Sequence, residues 1–272
     1  MFDNLSGVSY GLLAGILAML IHLVYQKITE LKRRKDELKE RESHPTDDLF
    51  PKEDFIPYHP SRYSEEEMIK RSNDFYLSMN ARRSVRFFSN EDVPDEVIDN
   101  IIRTAGTSPS GAHTEPWTFV VIKNKLLKAK VREIIEEEEE LNYKQRMGQK
   151  WVDDLKPLKT NWIKEYLTEA PYLILVFKQT YGITEDGQKK THYYNEISAS
   201  ISCGFLLAAI QNAGLVALTS TPLNAGSKLR NLVGRGPNEK IVILLPVGYP
   251  SKNCQVPNLK RKPLNEIMIK FD

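Results

Sequence analysis

Three short apolar runs constrain this chain most: residues 117–123 (WTFVVIK), 172–177 (YLILVF) and 241–247 (IVILLPV). Each is apolar at consecutive rather than alternate positions, the pattern of a strand buried on both faces. Such strands need covering layers, and helical patterns lie between them. Ser64 and Glu67 form a capping box before a helix whose apolar face carries Met68, Ile69, Phe75, Tyr76 and Met79. Pro94, Asp95 and Glu96 start a second, with the stripe Val97, Ile98, Ile101, Ile102 and Ala105, closed by Gly106. Residues 125–148 and 194–213 read as longer helices, and a short one falls within 223–234. A further strand is expected at 215–219, a loop through Gly182 and Gly187, and irregular packing over 150–167 around Pro157. The sum is an α+β domain, a three-layer α/β/α mixed sheet with helices on both faces.

Residues 8–25 (VSYGLLAGILAMLIHLVY) are apolar except for Ser9 and His22, about long enough for a transmembrane helix. Lys27, Lys32, Arg33, Arg34 and Lys35 follow it, against Asp3 and the α-amino group before. That asymmetry predicts an uncleaved single-pass anchor held in the lipid bilayer, with the following domain in the cytosol. Residues 26–42 alternate in charge sign and read as a solvated helical stalk. Pro45, Pro51, Pro57 and Pro60 mark an extended linker. The expected organisation is an anchor at 1–26, stalk and linker at 27–63, and a compact domain at 64–272.

A net charge of +2, with acidic and basic residues interspersed, argues against nucleic acid as a partner. Cys203 and Cys254 make neither a disulfide framework nor a zinc site, and the five histidines have no metal-ligand spacing. There is no GxGxxG, P-loop, HExxH or nucleophile elbow.

Arg82, Arg83 and Arg86 lie within five residues, where a helical pattern gives way to the β-branched and aromatic Val85, Phe87 and Phe88. They converge on one dianion only if the backbone leaves the helix there. Guanidinium groups favour bidentate phosphate contacts. A small-residue loop, TSPSGAHTEPW at 107–117, opens the first strand. Together RRSVR and PSGAHTEPW resemble the nitroreductase-like flavoproteins, and among them the iodotyrosine deiodinase group; the resemblance covers roughly 82–268. It implies a nitroreductase-like fold binding FMN. Arg82, Arg83, Ser84, Val85 and Arg86 would hold its phosphate and pyrimidine edge. Pro109 and Ser110 would line the flavin, with His113 a loop residue nearby.

Thr219, Ser220, Thr221 and Pro222 follow a strand, which alone is ordinary turn chemistry. In the group this segment faces the flavin and a hydroxyl donates to N5; Thr221 matches that position, as the catalytic residue, and favours single-electron steps. Ser220 stands where relatives can carry threonine. Arg261 matches a late arginine of the phosphate site; without the resemblance it reads as a basic tail. Glu139 and Tyr143, at i and i+4, share a helix face. From spacing alone an ordinary surface ion pair with Lys164 fits equally well, and most of the acidic run 136–140 reads as a solvated face. The strings EEEEELNYKQRMG and NWIKEYL match a lid, about 136–166, in which Glu139, Tyr143 and Lys164 read an amino-acid zwitterion. The backbone amide of Ala112 would receive the phenolate.

The resemblance therefore implies reductive dehalogenation of mono- and diiodotyrosine with release of iodide. It also implies a homodimer with flavin at the subunit interface and electrons ultimately from NADPH through a separate reductase. The alternatives are a broad-specificity FMN nitroreductase or quinone reductase, or a flavin- or halotyrosine-binding protein without turnover.

Overall fold

In a computed structural model of the chain, the residues described are Met19, 22–32 and 55–271. Most of the expected anchor, and most of the stalk and linker, fall outside them. Residues 22–32 are helical. Among the described residues no helix is long and apolar enough to cross a membrane. The chain divides between Pro60 and Ser61, and the second unit holds the sheet.

Helix α1 (Glu65–Ala81) begins where the Glu67 N–H donates to Ser64 Oγ (3.2 Å). Helix α2 (Asp95–Gly106) precedes strand β1 (Trp117–Ile122) and helix α3 (Lys125–Leu141). Asn124 caps α3 by accepting from the Leu127 N–H (2.9 Å). Helices α4 (Gly148–Leu155) and α5 (Tyr166–Glu169) lead to β2 (Tyr172–Gln179), β3 (Tyr181–Ile183) and β4 (Lys189–Thr191). Then come α6 (Asn195–Asn212), β5 (Val216–Ala217), α7 (Gly226–Leu232), β6 (Glu239–Gly248) and α8 (Leu264–Ile267).

The main sheet has the order β1-β2-β6-β5, with β2 at its centre. Leu173, Leu175 and Phe177 point to a core shared with Val131 and Ile135 of α3, Leu167 of α5 and Leu229 of α7. Tyr172, Ile174 and Val176 point the other way, onto Ile98 and Ile101 of α2 and Cys203, Leu206 and Ile210 of α6. Strand alternation thus feeds two cores from one apolar run. Each leucine so buried contributes about 1.5–3 kcal/mol relative to exposure. The buried Lys128 of α3 donates to the carbonyls of Ala170 (2.5 Å) and Pro171 (3.3 Å), tying α3 to the entrance of β2.

Several expectations need correction. Among the described residues the sheet ladder is antiparallel throughout, and the parallel pairing is a single bridge, Ser84 to Ala217. The strand expected at 215–219 is two residues long. Its register pairs Val216 with Gly248 and resumes at Ser220 with Leu244. Leu218 therefore falls opposite Pro246, which has no N–H to give, and the ladder breaks there. The loop expected near Gly182 is a β3–β4 hairpin, turned at Glu185-Asp186 and followed by Gly187 at positive φ. Gly182 faces the ring of buried His192, and a Cβ there would lie 2.6 Å from its Nε2. Region 125–148 is not one α-helix, because a π-helical turn (Asn142–Arg146) follows α3. Region 150–167 is more ordered than expected, with α4 reaching Leu155 and a 3-10 turn over Lys156–Leu158. No residue of α1 is buried: Met68, Ile69, Phe75 and Tyr76 are all exposed.

Candidate active site

The arginine cluster sits where α1 stops. Arg82 has extended backbone angles, φ −61° and ψ 131°. The chain then runs beside β5, with the Val85 N–H donating to Ala217 O (3.1 Å). The side chain of Val85 is buried, while Ser84 is exposed. Arg83 Nη2 donates to the carbonyl of Pro257. Arg261 Nη2 donates to Arg82 O (2.8 Å), and its Nη1 to Asn80 Oδ1 (3.2 Å). The sequence thus brings Arg261 back to the cluster across most of the domain. Burial lowers the pKa of Arg82, and the neighbouring cations of Arg261 and Arg83 lower it further. Arg86 Nε is buried with no hydrogen-bond partner among the described residues. A cationic corner of this kind attracts an anion.

Thr219, Ser220 and Thr221 follow β5, and Ser220 exchanges backbone hydrogen bonds with Leu244 (2.9 and 2.8 Å). This fixes the segment on the sheet and leaves Thr219 and Thr221 exposed. The buried Tyr166 of α5 lies beneath, its hydroxyl neighbouring Ser220; burial raises its pKa.

Lys164, Glu139 and Tyr143 meet. Lys164 Nζ lies 3.1 Å from Glu139 Oε2 and 5.6 Å from the centroid of the Tyr143 ring. The Lys164 side chain is only 7% exposed and that of Glu139 14%. Burial depresses the pKa of Lys164; the Glu139 carboxylate opposes this and Arg86 adds to it. Arg86 is thus close enough to link the trio with the arginine cluster. Among the described residues the buried Tyr143 hydroxyl has no hydrogen-bond partner, with Thr160 nearby but out of hydrogen-bonding geometry. Its ring packs edge-on against Trp151 (4.8 Å) and Trp162 (5.9 Å).

The acidic run is not mostly a solvated face. Glu138 is buried and paired with Arg146 (2.7 Å) and Lys228 (3.0 Å). Glu136 accepts from the Lys164 N–H (2.6 Å) and from Arg132 Nε (2.7 Å), so it fixes the backbone of Lys164. Helical periodicity turns these carboxylates inward, where Arg132, Arg146, Lys228 and the Lys164 N–H meet them. Sequence reasoning missed Glu136, Asn142, Tyr166 and the two tryptophans. The signal available was an unusual density of aromatics in a polar stretch.

Loop 109–113 stands apart. Pro109 and His113 are exposed, and Ser110 and Ala112 half-buried. The Gly111 N–H donates to Ser198 Oγ on α6 (3.3 Å), and a Cβ on Gly111 would lie 2.7 Å from Tyr193 O. Ala112, His113 and Glu115 all have positive φ, 50°, 51° and 44°. Three such non-glycine residues so close together store strain of the kind that gathers at functional loops. Among the described residues no hydrogen bond joins this loop to the arginines or to Thr219–Thr221.

Comparison with known proteins bears on this arrangement. The nitroreductase family profile matches residues 79–249. The chain belongs to the nitroreductase family. Iodotyrosine deiodinase of Danio rerio is 68% identical over 214 residues, 79% of this chain and 72% of that protein. Iodotyrosine deiodinase 1 of Homo sapiens is 66% identical over the same length, 79% of this chain and 74% of that protein. These relatives place the chain among the iodotyrosine deiodinases, flavin-dependent oxidoreductases of the nitroreductase family. A crystal structure of oxidised iodotyrosine deiodinase bound to FMN and 3-iodo-L-tyrosine superposes with a TM-score of 0.60 at 29% identity, over 73% of this chain and 98% of that one.

Proposed function

We propose that the protein removes iodide from mono- and diiodotyrosine using FMN, and so returns iodide for reuse. The observation that carries this reading is the buried Lys164–Glu139 pair under the Tyr143 ring. An amino acid offers a carboxylate to the lysine and an ammonium to the glutamate, each meeting an opposite charge. Arg82, Arg83, Arg86 and Arg261 suit a phosphate, and the unpartnered Nε of Arg86 is a donor in want of an acceptor. FMN, when bound, supplies the two electrons that, with one proton, turn an aryl C–I bond into C–H and iodide.

The chain's own residues bind, orient and exclude water. Thr221 is the hydroxyl donor toward the flavin from the turn after β5, and the Ala112 amide receives the phenolate. The segment 136–166 covers the bound amino acid, with Trp151 and Trp162 shielding Tyr143. Two copies assemble so that loop 109–113 of one meets the arginines and Thr221 of the other. The exposed faces of α1 (Met68, Ile69, Phe75) and α6 (Ile197, Ile201, Phe205) supply apolar area for that contact. The electrons come ultimately from NADPH through a separate reductase. A single-pass anchor at 8–25 holds the domain on the cytosolic side of a membrane, where protease added to cytosol-side-out vesicles should cleave it.

The test compares 3-iodotyrosine with an iodophenol lacking the amino-acid group. Losing two charge-assisted contacts, at about 1.5–3 kcal/mol each, predicts at least about a hundredfold weaker binding of the phenol. Flavin fluorescence on titration reads affinity, and iodide released with excess dithionite reads turnover. Equal handling of both compounds would return the protein to the broad nitroreductases. Binding without iodide release would leave only a halotyrosine-binding protein.

A further inference from the structure

Asn142 is fully buried, and nothing in the chemistry above uses it. It opens the π-helical turn, between Glu139 and Tyr143. Its Nδ2 donates to Glu139 Oε1 (3.2 Å). Its Oδ1 accepts from Asn224 Nδ2 (3.2 Å) and from Arg146 Nη1 (3.4 Å). Glu139 therefore has its two oxygens divided: Oε1 is held by Asn142, and Oε2 faces Lys164. On the other side, Asn224 lies three residues beyond Thr221 in the same turn, with a left-handed backbone at φ 64°. The Leu223 N–H donates to Thr221 O (2.8 Å), which closes residues 221–223 into a tight turn directly before Asn224.

We propose that Asn142 is a positioning residue that joins the amino-acid-reading trio to the Thr221 turn, so that zwitterion recognition and the flavin-side geometry are set together. A buried amide is suited to this. It donates to an anion and accepts from two donors at once, which no apolar residue and no carboxylate does. Being fully buried, it acts on ligand through its partners, of which Glu139 leads to the zwitterion and Asn224 to the Thr221 turn. The proposal rests on the amino-acid reading of the trio.

Two variants probe it in the FMN-loaded protein: Asn142→Leu, of similar volume, and Asn224→Gly, which suits a positive φ and removes one bond. The readout is the ratio of iodophenol to iodotyrosine dissociation constants, followed by flavin fluorescence. Each variant should lower that ratio by about tenfold through weaker iodotyrosine binding, with iodophenol unchanged. The double variant should be no worse than Asn142→Leu, because both cut the same path. Asn142→Asp, which keeps the acceptor but opposes Glu139, should lower the ratio further and serves if Asn142→Leu does not fold. A ratio kept at the wild-type value in the variants, whatever the melting temperature does, overturns the proposal. So do additive losses in the double variant. A wild-type ratio near one overturns the amino-acid reading and this proposal together, which separates the two failures.

Discussion

At the scale of single residues, Lys164 is the most exposed to test, because its charge is held against burial. A lysine whose folded pKa is depressed binds its proton less tightly than in the unfolded chain. It therefore weakens the fold below the depressed value, and this penalty is relieved as pH rises toward the ordinary lysine range. Ligand binding runs the other way, since a carboxylate needs the ammonium form. Iodotyrosine affinity should fall on the alkaline side earlier than an ordinary lysine would allow. In Lys164→Arg, whose charge persists, the fall should move to higher pH, leaving only the ligand's own titration. Superimposable alkaline limbs for the two proteins would remove Lys164 from the carboxylate site. For the phosphate, Arg83→Ala should weaken FMN binding by about 1.5–3 kcal/mol, read by fluorescence titration of the apoprotein. Full flavin retention would show that Arg83 serves only to hold the Pro257 carbonyl.

Among the elements, β2 carries the most weight. All six residues from Tyr172 to Phe177 are buried, and both cores depend on them. Leu175→Ala should cost about 2–5 kcal/mol in chemical denaturation, with the upper end expected if the site cannot collapse. A loss within about 0.5 kcal/mol would contradict a tightly packed centre. This strand was legible in the sequence because burial on both faces writes itself as an unbroken apolar run. The capped starts of α1 and α3 were legible or nearly so, since a serine or asparagine side chain acts locally. The arginine cluster was legible only as a hypothesis. Its convergence depends on Arg261, which no local pattern assigns to it. The break in β5 was hidden because its cause, Pro246, lies on the neighbouring strand. The π-helical turn at 142–146 was hidden for a similar reason. Its buried Asn142 reads as one more polar residue in a charged stretch, and one of its partners, Asn224, lies on a turn far along the chain. Inward carboxylates escaped notice because two of their cations, Lys164 and Lys228, are remote in sequence.

For the molecule as a whole, the unburied α1 is the feature that bears most on the proposed dimer. A helix whose apolar side faces solvent gains its stability from a partner. Phe75→Glu, which places a charge at the centre of that side, should shift the protein toward monomer in light scattering and lower its flavin content. Unchanged mass would direct the search for the interface elsewhere. The position of loop 109–113, rooted on α6 and unconnected to the arginines of its own chain, has a genetic consequence. Each site would draw its two halves from different polypeptides. A chain broken at Arg83 and a chain broken in the loop, each inactive alone, should restore one another when co-expressed. One site of every mixed pair would then be whole and the other doubly damaged, so activity should approach half that of the wild type per mixed pair and no more.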